Sequence, residues 1–364
     1  MKVNILTKVL IAIFLILIVS QACFSQNNTI ILPDSSTNYA NQISVDSSKR
    51  KVVVNSYTTQ FQNTVTSAIT IVEKETFNQG VISDPYLLLQ GKAAGLQIYT
   101  RGDNPNGLSS VYLRGPSSLT PTLPLVVIDG VIGASLSSID PNDIESFSIL
   151  KDGSAAAVYG MRGSAGVILI TTKKGISSKR WKWSYQGQVS SESATDAIAV
   201  MDAEAFRAVG GVDLGSQTDW LNEITYNPVS YNHGLAVAGA VGKNTAIRLS
   251  SNYRNKKGTL RNTGFDQFNA RLNVTSTAFQ EKFTINFITS YTNRTQQNGF
   301  PEALRYATFH NPTAPVLGVD APFSFNSEQF GGYYEMLGIF DAYNPVSIVE
   351  QNRNDTDCLL LEQV

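Results

Sequence analysis

The sequence is poor in charge and in histidine. Only 16% of its 364 residues are charged, and 28 basic against 29 acidic residues give a formal net charge of -1. A protein that holds nucleic acid through its phosphates needs an excess of basic residues, so nucleic acid is not expected as a partner. The two histidines, His233 and His310, are far apart and have no neighbouring cysteine. No metal-ligand spacing is present, and neither a metal nor another cofactor is expected.

Cysteine is equally scarce, with Cys23 and Cys358 as the two thiols. The first lies just after the apolar run 9–19, which two lysines precede and small and polar residues follow. This order is typical of a secretory signal peptide, with cleavage expected after Ser25. A lipoprotein with Cys23 as the lipidated residue is the alternative. One cysteine remains after cleavage, so the sequence predicts an exported protein without a disulfide framework.

Motifs of catalysis are missing as well. Gly160, Gly163 and Gly166 follow the spacing GxxGxxG and come after a predicted helix, which is not the arrangement of a dinucleotide-binding loop. The acidic pair Asp140 and Asp143 is explained by capping of a predicted helix. No separated pair of carboxylates suggests a general acid and a general base. The sequence therefore predicts that the protein is not an enzyme.

Glycine and aromatic residues are abundant, which favours a β-rich protein with many turns. After the signal segment, residues 26–51 are dominated by Asn, Ser, Thr and Asp and are predicted to form a flexible tether. The short β-branched run Val52, Val53, Val54 and Asn55 comes next. It is suited to adding as a strand to the sheet edge of another protein, and an ordinary first strand is the alternative.

Residues 68–175 combine short strands with short helical segments. Strands are predicted over 68–72, 95–99, 110–114, 125–128, 146–150 and 166–172, and helical segments over 86–91 and 152–160. Asp140 is placed to cap a further helix start, with Pro141 at its first position. The pattern predicts an α+β domain.

Beyond residue 175 apolar and polar residues alternate with a period of two. One predicted strand face carries Phe283, Ile285, Phe287, Thr289 and Tyr291, and Ile288 is the apolar exception on the opposite face. In an exported protein, alternating strands of about 10 residues are typical of an outer-membrane barrel. Soluble β-sandwiches alternate too, but Arg and Asn on the polar faces, with Trp and Tyr near strand ends, favour the barrel.

Several short motifs follow one another in a fixed order. They are LLQGKAAGLQ at 88–97, VYLRG at 111–115, PLVVIDGV at 124–131, PNDIE at 141–145, LKD at 150–152, SAAAVYG at 154–160 and GVILITTKKG at 166–175. In this order they resemble the plug domain of SusC/RagA-type TonB-dependent outer-membrane transporters. TDWL at 218–221, NHGL at 232–235 and NPTAPV at 311–316 resemble the opening barrel strands of the same family.

The resemblance implies an α+β plug domain followed by the first strands of an antiparallel transmembrane β-barrel. The expected domains are a signal peptide over 1–25, a tether over 26–51, a TonB box and plug over 52–175, and a partial barrel over 176–364. The family's barrel resembles transporters of about 22 strands, whereas 176–364 supplies about eight. The barrel is therefore expected to be incomplete, and the chain to be an N-terminal fragment of a larger transporter.

The implied function is TonB-dependent import of a glycan or peptide nutrient across the outer membrane, with the plug closing the barrel lumen. The implied partners are the periplasmic energising protein TonB, which would grip Val52 to Asn55, a SusD-like lipoprotein and the surrounding outer-membrane lipid. A siderophore or signalling receptor of the same plug-and-barrel group is an alternative. A truncated product that does not transport is another.

Two predicted plug loops, 101–107 and 116–124, are the expected place of substrate contact. The candidate residues are Arg101, Asp103, Asn104, Ser117 and Ser118. The motifs leave the identity of the oligosaccharide or peptide open.

Overall fold

The computed structural model describes residues 51–53, 59–61, 67–100, 104–107, 109–116, 123–194, 198–279, 283–318, 328–336, 343–350 and 354–363. All of them lie in one structural unit, Ser48–Val364. The predicted signal peptide and all of the predicted tether except its last residue lie outside the described residues. Within these ranges, no helix has the length and apolar character that a membrane crossing requires.

Two short strands open the described chain. Strand β1 (Lys51–Val53) pairs antiparallel with β2 (Thr59–Phe61), with Val52 opposite Gln60. In the described residues these two strands form a sheet of their own.

Residues 67–174 form an α+β domain, here called the mixed domain. Its main sheet has the order β3-β8-β9-β6-β7, with strands β3 (Ile69–Glu73), β6 (Leu125–Ile128), β7 (Val131–Ile132), β8 (Ile144–Leu150) and β9 (Val167–Thr172). Strands β6 and β9 are parallel and the other neighbours antiparallel. A separate hairpin joins β4 (Leu96–Tyr99) to β5 (Ser110–Leu113). The predicted strands are all present within two residues of their expected bounds, while β7 was not predicted.

The helical segments of the mixed domain are short. They are 3-10 helices over Lys74–Thr76, Pro85–Leu89, Leu136–Ser138, Pro141–Asp143 and Ala157–Gly163, and the α-helix α1 over Gly153–Ala156. Both predicted helical segments are present. The second one ends at Gly160 as expected, because the φ of 59° and ψ of -147° at this residue are not helical, and a further helical turn follows up to Gly163.

The core of the mixed domain lies on both faces of its main sheet. Phe147 and Ile149 of β8 and Ile168 of β9 are fully buried in one cluster, where the ring of Phe77 meets that of Phe147 edge-on at 5.4 Å. Val167 belongs to a second cluster on the other face. Burial on both faces explains why β6 and the first four residues of β9 are unbroken apolar runs and do not alternate.

Six long strands follow in one antiparallel sheet, here called the wall. They are β10 (Lys182–Ser191), β11 (Val229–Val241), β12 (Thr245–Lys257), β13 (Gly264–Ala278), β14 (Phe283–Gln297) and β15 (Asn354–Gln363). Each strand pairs with the next in the chain, and in the described residues the sheet does not close. The predicted fold class, an α+β domain followed by the first strands of an incomplete antiparallel barrel, is confirmed.

The two faces of the wall differ as the period of two predicts. The inner face, defined as the one that contacts the mixed domain, carries polar residues such as Ser250, Asn252 and Arg254, all under 9% exposed. Phe283 and Ile285 lie on the outer face and are exposed. Ile288 lies on the inner face as the predicted exception and is buried.

The two ends of the wall also differ. Short connections, 242–244 and 279–282, join strands at one end. At the other end strands are joined by the six residues 258–263 and by two much longer connections, 192–228 and 298–353. The longer connections contain helices α2 (Ala203–Ala208), α3 (Trp220–Ile224), α4 (Glu302–Phe309) and α5 (Pro345–Glu350). Apolar side chains of α3, α4 and α5 pack into one cluster, the loop cluster, around Trp220, Ile224 and Ala303.

Candidate functional site

The segment Asp129–Asp143 connects β6 to β8 and places three carboxylates against the wall. Asp129 lies in the turn before β7, and Asp140 and Asp143 stand at the two ends of a 3-10 turn. The side chains of all three are at most 5% exposed. A buried carboxylate is stable only when it is paired and hydrogen-bonded, and each of the three meets an arginine of the wall.

Asp143 has the most partners. Its Oδ1 accepts from Arg248 Nη2 at 2.6 Å, and its Oδ2 accepts from Ser250 Oγ and Asn252 Nδ2, both at 2.9 Å. The three donors are alternate residues of β12, so the period of the strand puts them on one face, in a row. One carboxylate therefore binds three consecutive inner positions of a single strand.

Asp140 forms an ion pair with Arg254, at 3.0 Å from its Nη2. The same carboxyl caps the turn that follows, because its Oδ1 accepts from the backbone N of Asn142 at 2.9 Å. Arg254 also donates from Nη1 to the carbonyl oxygen of Ser83 at 3.1 Å. This arginine thus joins two separate parts of the mixed domain to the wall.

Asp129 pairs with Arg271 of β13. Its carboxylate also accepts two hydrogen bonds from within the mixed domain, from the backbone N of Thr172 at 2.9 Å and from the Thr172 hydroxyl at 2.8 Å. The residue has a positive φ of 47°, a conformation that Asp tolerates better than most side chains. The tight turn and the end of β9 together fix the position of this carboxylate.

Uncharged hydrogen bonds extend the contact to β13 and β14. Gln267 donates to the carbonyl oxygen of Ser137 at 2.9 Å, and Thr292 donates to that of Ser138 at 3.0 Å. At the end of the wall, Asn106 donates to the carbonyl oxygens of Gly264 at 2.9 Å and Gln297 at 2.7 Å. The contact between the mixed domain and the wall is therefore largely polar.

A cavity of about 580 Å³ lies beside this contact, between the end of β9 and strands β10 to β12. Its charged lining residues are Lys74, Lys173, Lys174, Lys182, Arg248 and one acid, Glu145. Lys173 donates to the carbonyl oxygen of Asn142 at 2.6 Å, and burial lowers the pKa of its ammonium group. The cavity is electropositive because basic side chains outnumber the carboxylate.

The structure describes only some of the predicted site residues. Val52 and Val53 lie in β1, whereas Val54 and Asn55 are outside the described residues. Of the proposed substrate contacts, Arg101, Asp103, Ser117 and Ser118 also lie outside them. Their roles stay predictions.

Asn104 is the remaining candidate, and it is half-buried. Its side-chain oxygen accepts from the backbone N of Asn106 at 2.9 Å. This bond shapes the turn that presents Asn106 to the wall. A role for Asn104 in substrate contact stays a prediction.

Sequence reasoning missed the carboxylates as docking residues. The capping explanation holds for Asp140, but the carboxyl of Asp143 binds the wall. One feature of the sequence could have indicated this contact. The polar faces of β12 and β13 carry Arg248, Arg254 and Arg271 and no acidic residue. Buried arginines require counter-ions, and the acidic residues of the preceding domain are the source.

In the described ranges no group of three or more His, Cys, Asp or Glu side chains is placed to hold a metal ion. His233 lies on the outer face, with its Nδ1 at 2.8 Å from the hydroxyl of Tyr185. His310 is buried in the loop cluster, where its ring meets that of Trp220 at 4.3 Å. Burial lowers the pKa of His310 to about 4.

Residues 62–167 match the model of the TonB-dependent receptor plug domain. The chain is 30% identical over 307 residues to TonB-dependent receptor SusC of Bacteroides thetaiotaomicron, an alignment that covers 79% of this chain and 30% of SusC. It is 29% identical over 335 residues to TonB-dependent receptor P26 of Formosa agariphila, covering 86% of this chain and 33% of P26. The chain thus spans about a third of the length of these relatives.

Among solved structures, the RagAB peptide importer in its open-open state is similar, with a TM-score of 0.64. The sequence identity is 22%, and the match covers 82% of this chain and 38% of the other. At this identity the likeness concerns the fold alone.

Proposed function

The chain belongs to the SusC/RagA-type TonB-dependent transporters, and from this premise we propose that it supplies the plug and the adjoining barrel strands of an importer for a glycan or peptide nutrient. The mixed domain is the plug, and the wall is part of the barrel in the outer membrane. The segment Asp129–Asp143 is the contact that holds the plug closed.

The polar character of this contact carries the proposal. A plug that opens and closes has to leave the wall without exposing a large apolar surface, and contacts between separable bodies are more polar than a domain core. Three ion pairs and a set of uncharged hydrogen bonds meet this requirement. Each bond broken at the wall is replaced by one to water when the lumen opens.

The connections between strands give the orientation. Outer-membrane barrels have short turns on the periplasmic side and longer loops outside the cell. The turn 242–244 is then periplasmic, and the loop cluster lies at the extracellular end. A SusD-like lipoprotein would cover this end and deliver the substrate to the plug. The candidate contacts Arg101, Asp103, Asn104, Ser117 and Ser118 belong to plug loops that would meet it there.

TonB would pull on the plug through the strands at its N-terminal end. We assign Val52 to Asn55 as the segment that TonB grips by β-augmentation, in which backbone hydrogen bonds supply the affinity. The strand that follows β2 in the chain is β3, which is the edge strand of the main sheet. In the described residues it pairs with β8 alone. Since β8 begins directly after Asp143, tension on β3 is transmitted to the carboxylates at the wall.

Uptake by a complete receptor that contains this chain tests the proposal. Labelled oligosaccharides and oligopeptides are supplied to cells with and without TonB, and import is expected only with TonB. A matched pair of variants replaces Val52, Val53 and Val54 by proline or by threonine. Proline removes the backbone N–H groups and should abolish uptake, whereas threonine retains them and should not. Import that persists without TonB, or that survives the proline variant, refutes the proposal.

A further inference from the structure

In the described residues, the inner face of β10 to β14 carries cations and no carboxylate. Glu192, directly after β10, pairs with Lys256, and the register places Asp357 of β15 opposite Arg294. Strand register defines this face, because residues directly opposite each other share it: Lys182 pairs with Ala238, which pairs with Arg248. The cations on the inner face are Lys182, Arg248, Arg254, Lys256, Arg271 and Arg294. The acid in these strands, Asp266, lies on the outer face beside Tyr253, whose hydroxyl donates to it at 3.1 Å.

The counter-ions of three of these cations come from the plug. Arg248, Arg254 and Arg271, here called the arginine row, pair with Asp143, Asp140 and Asp129 respectively. All three carboxylates lie on the one segment that connects β6 to β8. Movement of this segment away from the wall therefore removes three negative charges from the inner face at once.

The arginine row has a regular geometry. Arg271 lies opposite Ser250 in the pairing of β12 with β13, so it stands between Arg248 and Arg254 along the strand direction. With a rise of about 3.3 Å per residue, the backbone positions of the three arginines extend over about 20 Å along the strand direction. That length suits several charged groups of one extended oligomer. Arg248 also lines the electropositive cavity on the periplasmic side of the row.

We propose that the arginine row binds two sets of anions in turn, the plug carboxylates in the closed state and the carboxylates of an acidic oligomeric cargo in the open state. The inference rests on the proposed import function and narrows its substrate class to anionic oligomers. A guanidinium group binds a carboxylate through two parallel hydrogen bonds. Cargo carboxylates would therefore occupy the positions that the aspartates leave, and the cavity would receive them on the way to the periplasm.

The ion selectivity of the open pore tests the row without any cargo. The complete receptor is inserted into a planar bilayer, urea displaces the plug, and the reversal potential is measured in a KCl gradient. Replacing Arg248 and Arg271 by glutamine should lower the preference for chloride over potassium about twofold, the size expected of two screened charges at a pore wall. The matched control makes the same change to glutamine at two exposed lysines, Lys257 on the outer face and Lys243 in the turn 242–244. An equal shift in both variants, or none in the first, overturns the inference.

Paired substrates test the cargo. Uptake of an oligogalacturonate is compared with that of its neutral methyl ester, and uptake of a Glu-rich peptide with that of its Gln counterpart. The acidic member of at least one pair should enter faster, and which pair responds distinguishes a glycan from a peptide. Neutral members that enter as fast as acidic ones overturn the inference and leave the import function intact. If none of the four enters, the inference of an acidic cargo is overturned, and TonB-dependent uptake of other oligosaccharides and oligopeptides decides the import proposal.

Discussion

Substitution of Asp143 by alanine should release the plug segment from the wall. The change removes the acceptor of three hydrogen bonds and leaves Arg248, with 12% of its side chain exposed, without a counter-ion. Removing one partner of a buried ion pair costs about 3–5 kcal/mol. At about 1.4 kcal/mol for each factor of ten, local opening of the segment should become between a hundredfold and a few thousandfold more frequent.

Hydrogen exchange measured by mass spectrometry on the complete receptor reads this opening directly. The backbone N of Asp143 is bonded to the oxygen of Asp140, and that of Lys173 to the oxygen of Asp143, both at 2.9 Å. Their amides should lose protection by the factor given above. The double substitution with Arg248→Gln should cost less than the sum of the two single ones, because the second change removes the unpaired charge.

Glu145→Ala is the matched control. Glu145 lies two residues away and pairs with Lys74 at 2.6 Å, but the two side chains are 41% and 42% exposed. An exposed pair contributes only about 0–1 kcal/mol, so protection of the segment should change by less than about tenfold. If Asp143→Ala and Glu145→Ala change protection equally, the carboxylate at the wall is not what holds the plug closed.

Three further expectations concern the plug core and the loop cluster. Phe147→Ala should destabilise the plug by about 3–5 kcal/mol, since the ring is fully buried. Urea unfolding, monitored by hydrogen exchange in β8, measures this loss, and Val158→Ala, a change at an exposed side chain, is the control that should show a much smaller one. Gly166→Ala should lower plug stability and raise protease sensitivity, because φ is +93° and the new Cβ would lie 2.4 Å from Leu113 Cδ1; a variant as protease-resistant as the wild type would refute this. Burial lowers the pKa of His310 to about 4 from 6.5, so only the unfolded cluster takes up a proton between these values. The free energy of unfolding of the cluster should therefore be constant above pH 6.5 and fall by about 3 kcal/mol as the pH drops toward 4. Hydrogen-exchange protection of α4, measured against pH, should show this loss in the wild type and not in His310→Phe.

The sequence by itself determined the local features of this protein. Alternation along 283–291 identified the outer face of a long strand and the exception at Ile288, because side chains on a strand point to opposite faces whatever its neighbours are. Asp140 followed by Pro141 marked a capped turn, which depends on adjacent residues only. The ordered motifs of the plug indicated the family, and with it the fold class.

Only the tertiary structure decided which residues act together at the wall. Asp143 and Arg248 are 105 positions apart in the sequence. The residues next to either one in the sequence do not indicate that the two side chains will pair. The strand register decides that Arg271 stands between Arg248 and Arg254, and a register is a property of the paired strands rather than of one strand. The meeting of plug carboxylates with wall arginines therefore results from packing two distant parts of the chain against each other, since charges removed from water must be matched.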